Sequence, residues 1–453
     1  MIEQARRAFE KPVDASGIAA FRFTFGALIV LSVVRFFAYG WIDELYTKPK
    51  FFFTFWGLPF VSPLSGHGMH VVFAAIGLLA MMVAIGAFYR AATVLLFALF
   101  TYVQLVDVTN YLNHYYLVSL LAFLLCFIPA NATWSVDAWL SPARESKQLP
   151  ALHTYLLRFQ IAVVYIYAGI AKANADWLLH AQPLNIWLNA RTNTPFIGGL
   201  FALPYAAHVM SWAGFLFDTT IPFFMLQKRS RPYAFVVIVV FHSLTQVLFP
   251  IGMFPAIMAT SALIFFSPGW PRSLLRRVGI KVSHVQMGSH RATIGRRAIA
   301  LVSLYAVIQV TVPLRHRLYG GDVSWHEQGM RFSWKVMSRE KNGSVTYNVT
   351  DPATGRTWEV APRKYLTERQ LNDFSTQPDM ILQLGHHIGQ EHRRRLGHDV
   401  RVTVDAFVSL NGRRAARLID NNVNLIDISD GVGIAHWVLP KPAHDPPHFV
   451  PVS

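Results

Sequence analysis

The chain has 453 residues, of which 53% are hydrophobic and only 15% charged, with a mean hydropathy of +0.33. Soluble domains carry about 25% charged residues, so this balance excludes an ordinary soluble protein and points to one that lives in a bilayer. The formal net charge of +16 does not call for nucleic acid, because the basic residues gather in loops between apolar runs, as membrane topology requires.

The N-terminus, Met1-Ile-Glu-Gln-Ala-Arg-Arg7, is short and polar and leads into an apolar stretch with no small-residue cleavage site, so no removable signal peptide is expected. Apolar runs follow at 17–37, 70–88, 91–108, 115–129, 155–171, 205–226, 233–249, 252–267 and 298–313. A bilayer helix needs about 20 residues, and these runs predict about nine transmembrane helices within residues 1–315. With Arg6, Arg7 and Lys11 in the cytoplasm, the inner loops collect Arg90, Arg144, Lys147, Lys228, Arg229 and Arg231. They also hold Arg272, Arg276, Arg277, Lys281, Arg291, Arg296 and Arg297, whereas the outer loops before residue 314 hold only Lys48, Lys50, Lys172 and Arg191. The positive-inside rule then places the N-terminus in the cytoplasm and the C-terminal part outside. Arg22 and Asp218 fall within spans and are expected to pair inside the bundle, while Arg35 and Arg158 lie near span ends and suit snorkelling. The lone cysteine, Cys126, reads as a small core residue. The aromatic loop at 38–69, with Phe51-Phe-Phe-Thr-Phe-Trp56, reads as an interfacial segment at headgroup level.

Near residue 320 the composition changes, and residues 316–453 read as an α+β extracytoplasmic domain. The stretches 332–337, 344–350 and 356–360 alternate like half-buried strands, with Asp351-Pro-Ala-Thr-Gly355 as a turn. Residues 367–396 read as helical, opened by Thr367-Glu-Arg-Gln370. Two strands, 400–410 and 413–419, flank Asn411-Gly412, a strong hairpin signal. His386, His387 and His392 beside Arg393-Arg-Arg395 read as a solvated helix face, and no metal site is expected. P-loop, Rossmann and G-x-S-x-G patterns are also missing from the sequence.

Chemistry-bearing groups converge on the outer side. Asn113-His114-Tyr115-Tyr116 opens the fourth run, Lys172 ends the fifth, and His242 follows Phe241 in the seventh. An ammonium near a membrane boundary is costly unless it is paired, snorkelling or serving chemistry. A lysine ending a span also suits snorkelling and a histidine in a span also suits packing, so their joint placement carries the argument.

These segments resemble the vitamin K-dependent gamma-carboxylase family. The resemblance runs from the first span to about Pro440 and is carried by Asn113-His-Tyr-Tyr-Leu117, Ala168-Gly-Ile-Ala-Lys-Ala-Asn-Ala-Asp-Trp177, Phe241-His242, Ile251-Gly-Met-Phe254, Ser267-Pro-Gly-Trp-Pro-Arg272 and Phe332-Ser-Trp-Lys-Val-Met337. It implies that Lys172 deprotonates reduced vitamin K, a naphthohydroquinone. Reaction with O2 then yields a strong base that abstracts a glutamate γ-proton, and the carbanion captures CO2. It further implies His114 and His242 as catalytic partners and Asn113, Tyr116 and Trp177 around the quinone. Trp334, with Arg191 or Arg331 for a carboxylate, would hold the peptide.

The sequence departs from vertebrate carboxylases in its shorter C-terminal region and single cysteine. It also has Ala171 for the first lysine of their Lys-Lys pair, and Thr245 where they carry asparagine. These features look bacterial, and a bacterial inner membrane is the expected location. The expected partners are membrane lipids, a lipid-soluble quinone and a glutamate-containing peptide. Two alternatives compete: a quinone epoxidase or oxidase without carboxylation, and a non-enzymatic transporter or lipid-binding protein. Transporters commonly show internal repeats, and none is visible here.

Overall fold

A computed structural model describes residues 2–249, 251–282, 285 and 293–449. Arg291, counted above among the inner basic residues, lies outside them. Every apolar run becomes a helix: Ser16–Ala38, Gly68–Ile85, Tyr89–Leu105, Asn113–Phe127, Ala151–Lys172, Ala206–Leu226, Arg231–Leu248, Phe254–Ala262 and Arg296–Thr311. Within lipid a helix satisfies its own backbone groups, which is why apolar runs of this length resolve this way. Six of the helices are long and apolar enough to cross a membrane, whereas Tyr89–Leu105, Asn113–Phe127 and Phe254–Phe265 are shorter. Among the described residues, six of the nine expected spans therefore qualify by length and composition, and the other three are shorter helices. A short ladder of β1 (Pro12–Asp14) with β2 (Gln148–Pro150) ties the start of the chain to the foot of the Ala151–Lys172 helix.

Small residues set how closely the helices approach. A Cβ added at Gly26 would lie 2.5 Å from the Ala80 carbonyl oxygen. One at Gly169 would lie 2.9 Å from the Thr219 backbone nitrogen. Backbone contact of this kind is how membrane helices pack without a hydrophobic driving force between them. The second contact joins Ala151–Lys172 to Ala206–Leu226 at the level of the functional site.

The charges within spans are used differently from expectation. Arg22 does not meet Asp218. It is 2% exposed and donates to the carbonyls of Ala130, at 3.1 Å, and Trp134, at 2.6 Å. Arg158 likewise donates to the carbonyls of Ile264 and Phe266 rather than snorkelling. A buried guanidinium can spread several N–H bonds over carbonyls that no helix or strand bond claims, which offsets part of its desolvation cost.

The C-terminal part holds an antiparallel sheet in the order β4-β3-β5-β6, with β3 at Lys341–Thr350, β4 at Thr357–Val360, β5 at Arg401–Leu410 and β6 at Ala416–Arg417. The β3–β5 ladder runs from Lys341↔Leu410 to Thr350↔Arg401. Alternate residues Val402, Val404, Ala406, Val408 and Leu410 are fully buried, against the Pro378–Leu396 helix with its buried Met380, Ile381, Leu384 and Ile388. The helical stretch divides at 375–377, giving Glu368–Phe374 and Pro378–Leu396, and Thr367 with Gln370 closes the capping box that the sequence announced.

Four expectations for this part change. Residues 332–337 form no strand, because Phe332, Trp334 and Met337 all hold left-handed backbone angles, with φ of 61°, 56° and 48°. Asn411 and Gly412 do make the tight turn, with φ of 52° and 78°, but the returning strand shrinks to β6 because Arg413 is drawn out of register onto Asp176. The aromatic loop is not an interfacial belt throughout. Phe53 and Phe55 are buried in the core beneath the sheet, Phe53 stacking on Phe374, while Trp56 and Phe60 stay exposed. His392 is buried, and His386 bonds the Leu425 carbonyl at 2.9 Å, so that helix face is packed rather than solvated.

Candidate functional site

Lys172 is the last residue of its helix and is 6% exposed. The helix stops there because Ala173 leaves the helical region and Asn174 caps the next turn, its side chain accepting from the Trp177 N–H at 3.0 Å. The Lys172 Nζ donates to Asp218 Oδ2 at 2.8 Å and to the Ala168 carbonyl at 3.1 Å, with the Val336 carbonyl at 3.4 Å. It lies 5.2 Å from the centre of the Trp177 ring, and the Trp177 indole is itself fixed on the Ser211 carbonyl at 2.8 Å. Beyond the helix end, Asp176 takes Arg413 in a two-pronged pair at 2.6 and 2.7 Å, joining the end of this span to the C-terminal sheet. Burial alone would raise the Asp176 carboxyl. The Arg413 guanidinium and the Asn411 amide outweigh it and hold the group below the usual carboxylate range.

His242 is 3% exposed and shares a hydrogen bond of 2.9 Å with the Tyr165 hydroxyl through Nε2, while its Nδ1 has no partner among the described residues. Lys172, Asp218, Tyr165, His242 and Trp177 all line one cavity of about 170 Å³, whose remaining walls are mainly aliphatic and aromatic, among them Met210, Leu248 and Phe249. Sequence reasoning missed two of these groups. Asp218 was assigned to Arg22 and Tyr165 was read as part of an apolar helix. The available signal was that an intramembrane acid needs the nearest buried cation, and Lys172 was such a cation.

His114 opens onto a second, larger cavity of about 380 Å³ with Asn110, Asn113, Arg35 and Arg369. Ile251, Phe254, Val336 and Met337 line both cavities and so form the partition between them. The Phe254 ring stands 5.7 Å from the His242 ring and 6.0 Å from the His114 ring. Half of this partition is delivered by the segment after Met330, where the three left-handed residues lie. Non-glycine residues pay about 1–3 kcal/mol for such angles and keep them only where their surroundings impose it. Here the Phe332 N–H is held by the Tyr111 hydroxyl at 2.8 Å, and the fully buried Trp334 stacks on Tyr116 at 4.8 Å.

The predicted residues thus fall into separate places. Lys172, His242 and Trp177 share the first cavity, His114 and Asn113 the second, and Tyr116 with Trp334 packs at the back of the strained segment. Arg191 is exposed and lines neither of them. Arg331 is engaged by Asp379 and Gln377 and lines a third cavity of about 600 Å³ in the C-terminal part.

An apolar helical bundle with buried ionisable groups at one end, roofed by a strand-containing domain, defines a membrane protein of the HTTM type. The HTTM domain model matches residues 10–270, more than half of the chain. The model of the vitamin K-dependent gamma-carboxylase lumenal domain matches residues 295–444. The chain belongs to the vitamin K-dependent gamma-carboxylase family. No solved structure matches it.

Proposed function

We propose that this protein is a vitamin K hydroquinone-dependent glutamyl carboxylase of a bacterial inner membrane. In this reading residues 1–315 form the catalytic membrane domain with the N-terminus in the cytoplasm. Its nine apolar helices all take part in the crossing, the short ones with the help of their neighbours, and residues 316–453 stand outside to receive a glutamate-containing peptide.

The observation that carries the proposal is the Lys172–Asp218 pair in an apolar cavity that also holds a histidine nitrogen without a partner. That cavity fits a reduced naphthoquinone. Its volume of about 170 Å³ exceeds the ~150 Å³ of an engineered apolar cavity that admits benzene. Its polar groups are few, as a flat two-ring molecule with two hydroxyls requires. When bound, reduced vitamin K supplies with O2 the oxidation that drives removal of the glutamate γ-proton, and CO2 is the carbon added.

The side chains have distinct tasks. Lys172 Nζ takes a proton from a bound hydroxyl once its own has passed to Asp218 Oδ2, 2.8 Å away. With the Tyr165 hydroxyl donating to Nε2, His242 carries its proton on Nδ1 and presents it to an oxygen in the cavity. Trp177 and the aliphatic walls keep out the water that would quench a strong base. His114 and Asn113 work from the neighbouring cavity, and Tyr116 and Trp334 hold the partition in place.

The test uses purified protein with reduced vitamin K, O2, labelled bicarbonate and a glutamate peptide, with epoxide and fixed label followed separately. Both products are expected, and both are lost in Lys172→Ala. Epoxide without label across a panel of peptides would reduce the activity to quinone epoxidation. Neither product from folded protein would favour a transporter or lipid-binding role.

A further inference from the structure

The second cavity carries positive charge that makes no ion pair among the described residues. Arg35 and Arg369 line it, and no aspartate or glutamate does. Among the described residues Arg35 makes no ion pair and no hydrogen bond, only a contact over the Trp41 ring at 5.2 Å. Arg369, near the start of the exposed face of the Glu368–Phe374 helix, also makes none, although Asp373 on the same helix feels its field. Asn110 is 5% exposed, and among the described residues both its amide nitrogen and its amide oxygen lack a partner. A buried amide left in this state costs about 1–3 kcal/mol unless something fills its place.

The other two cavities differ. The Lys172 cavity contains Asp218, and the third cavity sets Glu327, Asp379 and Asp430 beside Arg315 and Arg331. Guanidinium groups that no carboxylate pairs with directly, together with a buried amide donor, form a recognition set for a carboxylate brought from outside. The cavity shares its Ile251, Phe254, Val336 and Met337 wall with the Lys172 cavity, so an anion held here sits next door to the proposed base.

We propose that the His114 cavity is the receiving chamber for the acidic side chain of the substrate, its carboxylate held by Arg35, Arg369 and the Asn110 amide. The inference rests on the carboxylase reading, which supplies the acidic substrate, and it assigns that substrate's anchor to residues other than Arg191 and Arg331. The shared chemistry is a planar oxyanion, and inorganic bicarbonate is its other source.

Equilibrium binding to the full chain in lipid nanodiscs, without quinone or turnover, separates the two. A fluorescent glutamate peptide and its glutamine counterpart are titrated by anisotropy, alone and with bicarbonate. Wild-type protein is expected to prefer the glutamate peptide by tenfold or more, and Arg35→Gln and Arg369→Gln each to cut that preference by about tenfold. Arg35→Lys should restore part of it. Arg369 is exposed, so Arg369→Gln tests the proposal even if loss of the Trp41 contact unfolds Arg35→Gln. An unchanged preference in folded Arg369→Gln overturns the proposal. So does bicarbonate binding that falls in that variant while peptide preference stays. Because this binding needs no chemistry, a protein that discriminates the peptides yet fixes no label refutes the carboxylase reading and leaves the chamber standing.

Discussion

The two cavities on either side of Phe254 differ in how their polar groups are treated. In the smaller one the charges are matched from within, Lys172 on Asp218, and Tyr165 holds His242 Nε2, so that only neutral polar atoms such as His242 Nδ1 are left without a partner among the described residues. In the larger one the polar groups are left open among the described residues: two arginines without an ion pair and an asparagine side-chain amide without a partner. A matched, apolar cavity receives an uncharged ring at little electrostatic cost, whereas an unmatched, cationic one waits for an anion. The difference also explains why the partition matters. On the proposed reading, a base generated beside Lys172 has to reach a carbon close to the anion without either cavity filling with water.

The largest effect expected from breaking this contrast comes from the matched side. Lys172→Ala should lower quinone epoxidation by about 10²–10⁴-fold. It should also destabilise the protein by about 3–5 kcal/mol, because Asp218 is left buried and alone. Lys172→Ala with Asp218→Asn should recover most of the stability but none of the activity, as read by melting temperature and epoxide yield. Recovery of activity in the double variant would remove the amine from the chemistry.

A second expectation concerns the segment that supplies Val336 and Met337. Lys341, at the point where it enters the sheet, has a fully buried side chain and donates to Glu327 and to the carbonyls of Trp325 and Thr376. Burial pushes its amine down to about 8 from 10.5, with Glu327 pulling up and Arg339 pushing further down. A lysine held below its unfolded value costs stability at low pH, and the cost is relieved as pH rises through the folded value. The stability of wild type relative to Lys341→Met should therefore increase by about 3 kcal/mol between pH 8 and pH 10.5. A difference that is flat over that window would show that this anchor is not desolvated.

The smallest effect sharpens the role of the histidine. Tyr165→Phe removes the hydroxyl from Nε2 and should cost about 0.5–1.5 kcal/mol of transition-state stabilisation, roughly a two- to tenfold loss of turnover. Stability, read by melting temperature, should fall only modestly, by the ~1–3 kcal/mol of leaving one buried nitrogen unpaired. If stability falls while turnover holds, the Tyr165–His242 bond is a packing feature.

How much of the site was legible in the sequence depended on how far apart its parts lie. Lys172 stood out because a cation at the end of an apolar run is conspicuous, and His114 and His242 because they interrupt such runs. Asp218 was equally conspicuous, yet its partner was misassigned to Arg22. The close approach of Gly169 to Thr219 brings the two helices together and sets Asp218 against Lys172. Arg35 reads as a snorkelling residue in the sequence, and Arg369 only as part of the Thr367-Glu-Arg-Gln370 helix start. That they open on one cavity depends on the fold of residues 369 and 35 onto each other, and no local pattern reports it.

By itself the sequence determined the local structure wherever one physical preference dominates. Apolar runs became helices because lipid leaves the backbone no other partner, Thr367 with Gln370 began a helix, and Asn411-Gly412 made a turn because both accept positive φ. The alternation in β5 likewise foretold its buried face. Tertiary structure alone decided what overrides those preferences. It bent 332–337 into left-handed angles against their strand-like pattern, because the pull of Tyr111 and Tyr116 on Phe332 and Trp334 exceeds a local preference worth about a kilocalorie. It drew Arg413 out of its strand onto Asp176, and it set Lys172 against Asp218 rather than leaving either to solvent. Charge pairing acts through space and is indifferent to sequence distance, so the composition of each segment could announce a charge but not its partner.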